Sequence, residues 1–276
     1  MNTKKRDFKE FKNSNTTVSI IRSAMFTPTI KRNKSKGQDI TFQNQWASLK
    51  IPAKYNHLTQ VHLNILDLIF ANATETLKLQ NGELVVKFSV WKILKALGQM
   101  GYNYEWLKDK LDDLQTTLTI LKTKNYELHE TILHFHKWTK TANPDSPKNC
   151  FNNDNYGKLY GVCFNSSFVK FFDIDVNLSY IKILPDILSL KSGVLQAFVR
   201  FVISHDKLNM KLIDVLMSIR AFDDNITTRT KERILKKIND NANILFSKFQ
   251  IKIENGIVYY DHSNTDKVYF LNNHTL

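Results

Sequence analysis

Apolar residues along the chain fall into helical and strand-like patterns whose order occurs twice. The first copy begins with a helix, which apolar residues at helical spacing predict over 58–69. A short strand at 84–88 and a short helix at 90–97 follow. The leucines of 104–121 recur at alternating intervals of four and three and predict a longer helix, after which 126–138 alternates as a strand or hairpin would.

The second copy starts at Leu188 and repeats this order. Its predicted elements are a helix over 188–202, a strand over 208–212, a short helix over 213–221, a long helix over 227–245, and strands over 249–254 and 257–260. The last two strands are joined by Asn255 and Gly256, the strongest two-residue signal for a hairpin turn.

This order of elements is that of a winged-helix domain, in which the long helix enters the DNA major groove and the hairpin flanks the backbone. We therefore predict an α+β fold with two tandem winged-helix domains. The first is expected over 39–142 and the second, the main DNA reader, over 148–276, with a linker at 143–147 (NPDSP). Residues 1–38 are expected to form a flexible basic arm.

The charge of the chain indicates a polyanionic partner. Its 276 residues include 39 Lys and Arg against 26 Asp and Glu, for a formal net charge of +13. Such an excess favours nucleic acid or an anionic membrane surface. Ten basic and two acidic residues lie within 1–38, so the arm either follows DNA phosphates or is a solvated tail. Lys31 and Arg32, in its basic stretch, are candidate DNA-binding residues.

Several classes of protein are excluded by what the sequence lacks. Two cysteines, Cys150 and Cys163, are too few for a disulfide scaffold or a Cys-rich zinc site. There is no P-loop motif and no Gly-x-Ser-x-Gly elbow. No apolar run approaches the ~20 residues of a membrane-spanning helix. We therefore expect a cytoplasmic protein with reduced thiols that is not an enzyme, does not bind membranes and uses no cofactor or metal.

The predicted helix over 227–245 supplies most of the candidate DNA-binding residues. Its apolar stripe points one way, and a mainly basic face points the other. A solvated amphipathic helix would have the same composition, but hydroxyl and guanidinium groups suit phosphate and guanine-edge contacts, and we favour the DNA-binding interpretation. The candidates here are Thr227, Thr228, Arg229, Thr230, Arg233, Lys236 and Lys237, with Lys248 beyond the helix.

The first long helix has a different surface. Acidic residues that include Asp109 and Asp112 lie opposite its leucines and would repel phosphates. We expect the first domain to contact DNA through the start of this helix, at Asn103, Tyr104 and Lys108, or to serve mainly in protein–protein contact.

Segments of the arm and of both copies resemble the TrfA-type plasmid replication initiators, which are built from two winged-helix domains. Residues 22–27 (RSAMFT) are similar to that family's Arg-x-Ala-Leu-Phe-Thr segment. Residues 88–98 (FSVWKILKALG) resemble its strand-into-helix segment ending in Leu-Gly, and 188–205 resembles its helix ending in Ser-His.

The resemblance implies a protein that binds direct repeats (iterons) in double-stranded DNA at a plasmid origin and helps to open an adjacent AT-rich segment. It also implies recruitment of the host replication initiator, helicase and sliding clamp. Proteins of this type switch between DNA-binding monomers and inactive homodimers. The absence of a P-loop motif is consistent with a protein that uses the helicase of its host.

Two other functions remain open at this point. A transcriptional repressor with tandem winged helices would also bind specific duplex DNA, at an inverted repeat. A rolling-circle nicking enzyme carries a His-apolar-His metal site, which His134 and His136 match in form. Such an enzyme also needs a nucleophilic Tyr with a nearby Lys on a later helix, and no Tyr after His136 has a Lys three or four residues on. We therefore favour the interpretation that these histidines belong to a hairpin.

Overall fold

The computed structural model describes residues 16–28, 39–55, 57–99, 103–142, 158–222, 226–265 and 268–271. These residues fold into α-helices and four antiparallel sheets, a mixed α and β architecture as predicted. The helices are Val18–Arg22 (α1), Gln60–Ala71 (α2), Val90–Ala96 (α3), Tyr104–Thr116 (α4), Ser166–Ile174 (α5), Leu184–Ser189 (α6), Gly193–Ile203 (α7), Leu212–Ser218 (α8), Thr228–Asp240 (α9) and Ala242–Phe249 (α10). The strands are Thr16–Thr17 (β1), Ile40–Gln43 (β2), Ala47–Ile51 (β3), Ala73–Lys78 (β4), Leu84–Phe88 (β5), Thr119–Thr123 (β6), Glu127–Glu130 (β7), Leu133–Ala142 (β8), Lys158–Phe164 (β9), Asn177–Ser179 (β10), Lys207–Lys211 (β11), Lys252–Glu254 (β12), Ile257–Asp261 (β13) and Tyr269–Leu271 (β14).

Two of the sheets share one arrangement. In the sheet β4-β5-β9-β8, β5 precedes the short helix α3 and pairs with β9, the second strand of the hairpin β8–β9. In the sheet β11-β13-β12, β11 precedes the short helix α8 and pairs with β13, the second strand of the hairpin β12–β13. Both halves of the chain therefore pass from a helix through a strand, a short helix and a longer helix to a hairpin.

The first half contains additions to this plan. Strand β4 extends its sheet beyond β5, and β6 and β7 leave it to join β2 and β3 in the separate sheet β2-β3-β6-β7. The remaining sheet, β1-β10-β14, joins three short strands from distant parts of the chain.

The two halves share one hydrophobic core, which is crossed by a buried polar network between α2 and α7. Arg200 of α7 donates to Gln60 Oε1 at 2.8 Å, Asn64 Oδ1 at 2.7 Å and Asp67 Oδ2 at 2.7 Å, all on α2. The Tyr180 hydroxyl donates to the same carboxylate at 2.9 Å. The side chains of Arg200 and Asp67 are 1% and 0% exposed, so the network is part of the interior.

Part of the predicted flexible arm is folded. Residues 16–28 contain β1 and α1, and Met25 and Phe26 are buried in the shared core. The polar and basic composition of this segment predicted flexibility, but its short apolar patch is enough to pack it against the second half. Lys31 and Arg32 lie outside the described residues.

The predicted linker at 143–147 does not separate two domains. Residues 143–157 lie outside the described residues, but the strands on either side of them, β8 and β9, pair with each other as one hairpin. Turn-forming residues are as typical of such a connection as of a linker. Residues 158–174, expected in the second domain, belong to the first half, where Phe168 of α5 stacks on Phe164 of β9 with ring centroids 5.7 Å apart.

Both long helices end earlier than predicted. α4 ends at Thr116, where β-branched threonines fill three of the four positions 116–119, and Leu121 lies in β6, paired with Leu49 of β3. α9 ends at Asp240, and Asn241 (φ −104°, ψ 8°) separates it from α10. The Asn241 side chain donates to Lys237 O at 2.8 Å and so ends the helix with its own hydrogen bond.

Candidate nucleic-acid interface

The start of α9 is built from threonines. Thr227 is the N-cap residue, and its hydroxyl accepts a hydrogen bond from Thr230 N at 3.3 Å. The hydroxyls of Thr227 and Thr230 also lie 2.9 Å apart and hydrogen-bond to each other. Two of the three predicted DNA-binding hydroxyls therefore fix the helix end, while Thr228 is exposed between them.

A basic face runs along the exposed side of α9. Arg229, Arg233 and Lys236 are exposed, whereas Ile234 and Ile238 are buried on the opposite side. At 3.6 residues per turn the three basic residues fall within an arc of about 60°. We call Arg229, Arg233 and Lys236 the α9 basic face. The structure leaves it uncovered by the described parts of the chain.

The charges of this face are not neutralised by any carboxylate among the described residues. Among the described residues, neither the α9 basic face nor the exposed Lys237 on its flank pairs with a carboxylate. Lys231, which was not among the DNA-binding residues predicted from the sequence, is also exposed on α9, with its Nζ 6.0 Å from the ring centroid of Phe222. Its place one turn after Thr227 is the signal that could have identified it.

Lys248 has a different environment from the other predicted residues. It lies on α10, and its Nζ is 2.7 Å from Asp186 Oδ1. Both side chains are partly exposed, so this ion pair is weak but would compete with a phosphate for the ammonium group. Lys248 is therefore not part of the α9 basic face.

The predicted residues of the first half begin α4. Asn103 precedes the helix, and its Nδ2 donates to Gln99 Oε1 at 3.0 Å. Tyr104 is half-buried, and Lys108 is exposed. These residues lie on the helix that corresponds in order to α9, but its exposed surface also carries Asp109.

Two aspartates of α4 hold the helix in place. Asp112 Oδ1 lies 2.8 Å from His136 Nε2 on β8. Asp113 Oδ2 lies 3.1 Å from His62 Nε2 on α2 and 2.9 Å from Lys110 Nζ. Part of the acidic character that sequence analysis found on this helix therefore serves packing within the first half.

His134 and His136 do not form a common site. The register of β8 against β9 shifts between Leu133 and Phe135, which interrupts the alternation that would place both imidazoles on one face. His134 Nδ1 lies 2.6 Å from Glu83 Oε1, whereas His136 bonds to Tyr160 and Asp112. The two-histidine metal site of a nicking enzyme is not assembled.

Two segments that carry the sequence resemblance meet inside the protein. The Arg22 guanidinium donates to the hydroxyl of Ser204 at 3.2 Å and to its carbonyl oxygen. The neighbouring His205 packs edge-on against Trp46, with ring centroids 5.6 Å apart. The two segments, 22–27 and 188–205, therefore pack against each other where α1 meets α7.

The net positive charge of the chain is compatible with an anionic membrane as well as with nucleic acid. Within the described ranges, no helix combines the length and the apolar character that crossing a bilayer requires.

The protein has a mixed α and β fold made of two halves. Both halves contain helices and antiparallel strands in a common order. A solved structure of domains 2 and 3 of RctB has such a fold, with a TM-score of 0.53, 14% sequence identity, and coverage of 89% of this chain and 98% of that one. At this identity the similarity is one of fold. No family model matches the sequence, and no curated protein matches it either.

Proposed function

We propose that the protein is a DNA replication initiator that binds duplex DNA through α9. The observation that carries this proposal is the α9 basic face, which is exposed and forms no ion pair with any described residue. RctB, whose domains 2 and 3 share this fold, is a replication initiator. The TrfA-like segments of the sequence support the same function.

We further propose that each half is a winged helix. In the second half, α8 and α9 are the helix-turn-helix, α9 lies in the major groove and β12–β13 is the wing. The turn residues Asn255 and Gly256, with φ of +49° and +74°, support a tight hairpin there. In the first half, α3, α4 and the β8–β9 hairpin take the corresponding places, and the acidic surface of α4 favours protein contact over base reading.

In this proposal the DNA sites are direct repeats at an origin, and binding promotes opening of an adjacent segment. The protein has no catalytic activity of its own and needs no cofactor for this task. Its protein partners are a second copy of the chain and the host replication initiator, helicase and sliding clamp. These partners follow from the resemblance to the TrfA-type initiators.

The role of α9 is tested by removing its charges one at a time. Arg233→Ala and Lys236→Ala should each weaken specific binding by about 1–3 kcal/mol if the side chains reach bases. Lys122→Ala is the matched control, because Lys122 is an exposed lysine of β6 in the first half. Fluorescence anisotropy with origin duplex at fixed salt measures the effect. Wild-type affinity in the Arg233→Ala, Lys236→Ala double variant would remove α9 as the DNA-binding element.

The arrangement of the sites distinguishes initiation from the other functions. An initiator protects directly repeated sites in a footprint and makes a neighbouring AT-rich tract reactive to a single-strand probe. A repressor protects an inverted repeat without opening it. A nicking enzyme cleaves supercoiled plasmid only with a metal, and this cleavage is lost in His134→Ala.

A further inference from the structure

Three residues of the first half bring an oxygen, a nitrogen and a sulfur donor together. Glu83 Oε1 lies 2.6 Å from His134 Nδ1, and the Cys163 thiol donates to Glu83 Oε2 at 3.6 Å. One ligand atom from each residue lies within 4.8 Å of the other two. This cluster of Glu83, His134 and Cys163 takes no part in the proposed DNA contacts.

The register of the sheet produces the cluster. Cys163 of β9 is paired with Val85 of β5 on one side and with Phe135 of β8 on the other. Glu83 stands just before β5, and His134 stands at the register shift of β8, directly before Phe135. A β-bulge redirects a side chain, and here His134 is directed to Glu83 while His136 bonds elsewhere.

We propose that Glu83, His134 and Cys163 bind one divalent transition-metal ion, with Zn²⁺ the best match. Thiolate, imidazole and carboxylate are the three ligand types of protein zinc sites, and three protein ligands leave a fourth position for water. The carboxylate and the thiolate together balance the two positive charges of the ion. On binding, the S–H bond of Cys163 is replaced by a sulfur–metal bond, and the proton passes to solvent.

The exposure of the three side chains suits entry of an ion from one side. His134 is 58% exposed, the Glu83 side chain is 12% exposed, and Cys163 is buried. An ion bound there would link β5, β8 and β9 at the end of the hairpin opposite the 143–157 connection. Such an ion would hold three strands together, and its binding can be tested independently of DNA binding by α9.

Titration of the full chain with Co²⁺ tests the site, because cobalt bound to a thiolate gives a charge-transfer absorption band. We expect one such site per chain and loss of the band in Cys163→Ser. Cys150→Ser is the control for the other cysteine, which lies outside the described residues, and it should keep the band. His134→Gln removes one ligand from an exposed position with little risk to folding. It should weaken Co²⁺ binding at least tenfold, because even the loss of a residue that only hydrogen-bonds to a metal ligand costs about tenfold or more.

The opposite outcomes overturn the proposal. A wild-type chain without a thiolate band binds no metal through Cys163. A band that disappears in Cys150→Ser, or persists in Cys163→Ser, places the metal elsewhere. Equal affinity of the wild type and His134→Gln, with exposed His129→Gln as the matched control, shows that His134 is not a ligand.

Discussion

Arg22 and His205 lie at the contact between α1 and the end of α7, beside Trp46 of the first half. Burial, together with the positive charge of Arg22, lowers the pKa of His205 to about 4. The imidazole is therefore neutral in the folded protein near neutral pH. Its ring also packs against Phe201, with centroids 4.8 Å apart, so a charge at this position would enter an aromatic environment.

The pKa of His205 predicts a loss of stability in mild acid. The pKa of a histidine in an unfolded chain is about 6.5. Between about pH 6.5 and about pH 4 the unfolded chain therefore binds more protons than the folded protein, and the free energy of unfolding rises with pH. Between about pH 7 and about pH 5, His205 should remove about 2 kcal/mol from the free energy of unfolding. Urea unfolding of wild type and His205→Gln at both pH values measures this difference.

The control for this experiment is His129→Gln, which changes an exposed histidine and should keep the wild-type pH dependence. If His205→Gln and wild type lost the same free energy between the two pH values, His205 would not be the titrating group.

At the residue scale, the sequence predicted which side chains are buried and which are exposed better than it predicted contacts between distant residues. Helical periodicity correctly put Ile234 and Ile238 inside and the α9 basic face outside. It could not predict that Cys163 meets Glu83 across 80 positions, because that contact depends on strand register. Helical and strand periodicity also could not predict the bulge in β8 that directs His134 and His136 to different partners, because such a bulge has no pattern in the local sequence.

At the scale of elements, the order shared by the two halves could be predicted, but the ends of the helices and the added strands of the first half could not. The apolar positions continue in phase from α9 into α10, because Leu245 faces the same core as Ile238. Periodicity alone therefore predicted one helix through 245. The stop signal was chemical: Asn and Asp residues at 239–241 hydrogen-bond to nearby backbone and are weak helix formers.

The β12–β13 turn gives a prediction about one element. Gly256 has φ of +74°, and a Cβ placed there would meet no atom within 4 Å. Gly256→Ala should therefore cost about 1–2 kcal/mol through backbone conformation alone. Gly256→Asn is the control, because Asn adopts this conformation more readily and should cost less. Thermal unfolding measures both, and an alanine variant as stable as wild type would contradict the prediction.

At the scale of the whole molecule, the two halves are joined more closely than the repeated pattern indicated. A shared core and the Arg200 network cross the junction, and the strands on either side of the segment predicted as a linker pair with each other. Burial of the carboxyl group raises the pKa of Asp67 to about 6, against the attraction of Arg200. The repeated order of elements predicted two separate domains, and it could not indicate the contacts between α2 and α7, which are long-range and have no local signal.

This junction predicts that both halves unfold together. Calorimetry of the wild type should show one transition, and Arg200→Met should lower the free energy of unfolding by about 3–5 kcal/mol because it leaves Asp67 buried without its partner. Adding Asp67→Leu removes the second charge and should restore part of the loss. Two separate wild-type transitions would show that the halves fold independently.

The sheet β1-β10-β14 has a consequence for synthesis of the protein. Leu178 of β10 pairs with Thr16 on one side and with Phe270 on the other, so its neighbours come from opposite ends of the described chain. During translation β1 leaves the ribosome long before β14 exists. The nascent chain must therefore hold this sheet incomplete, with one edge of β10 open to wrong pairing, until residues 269–271 emerge.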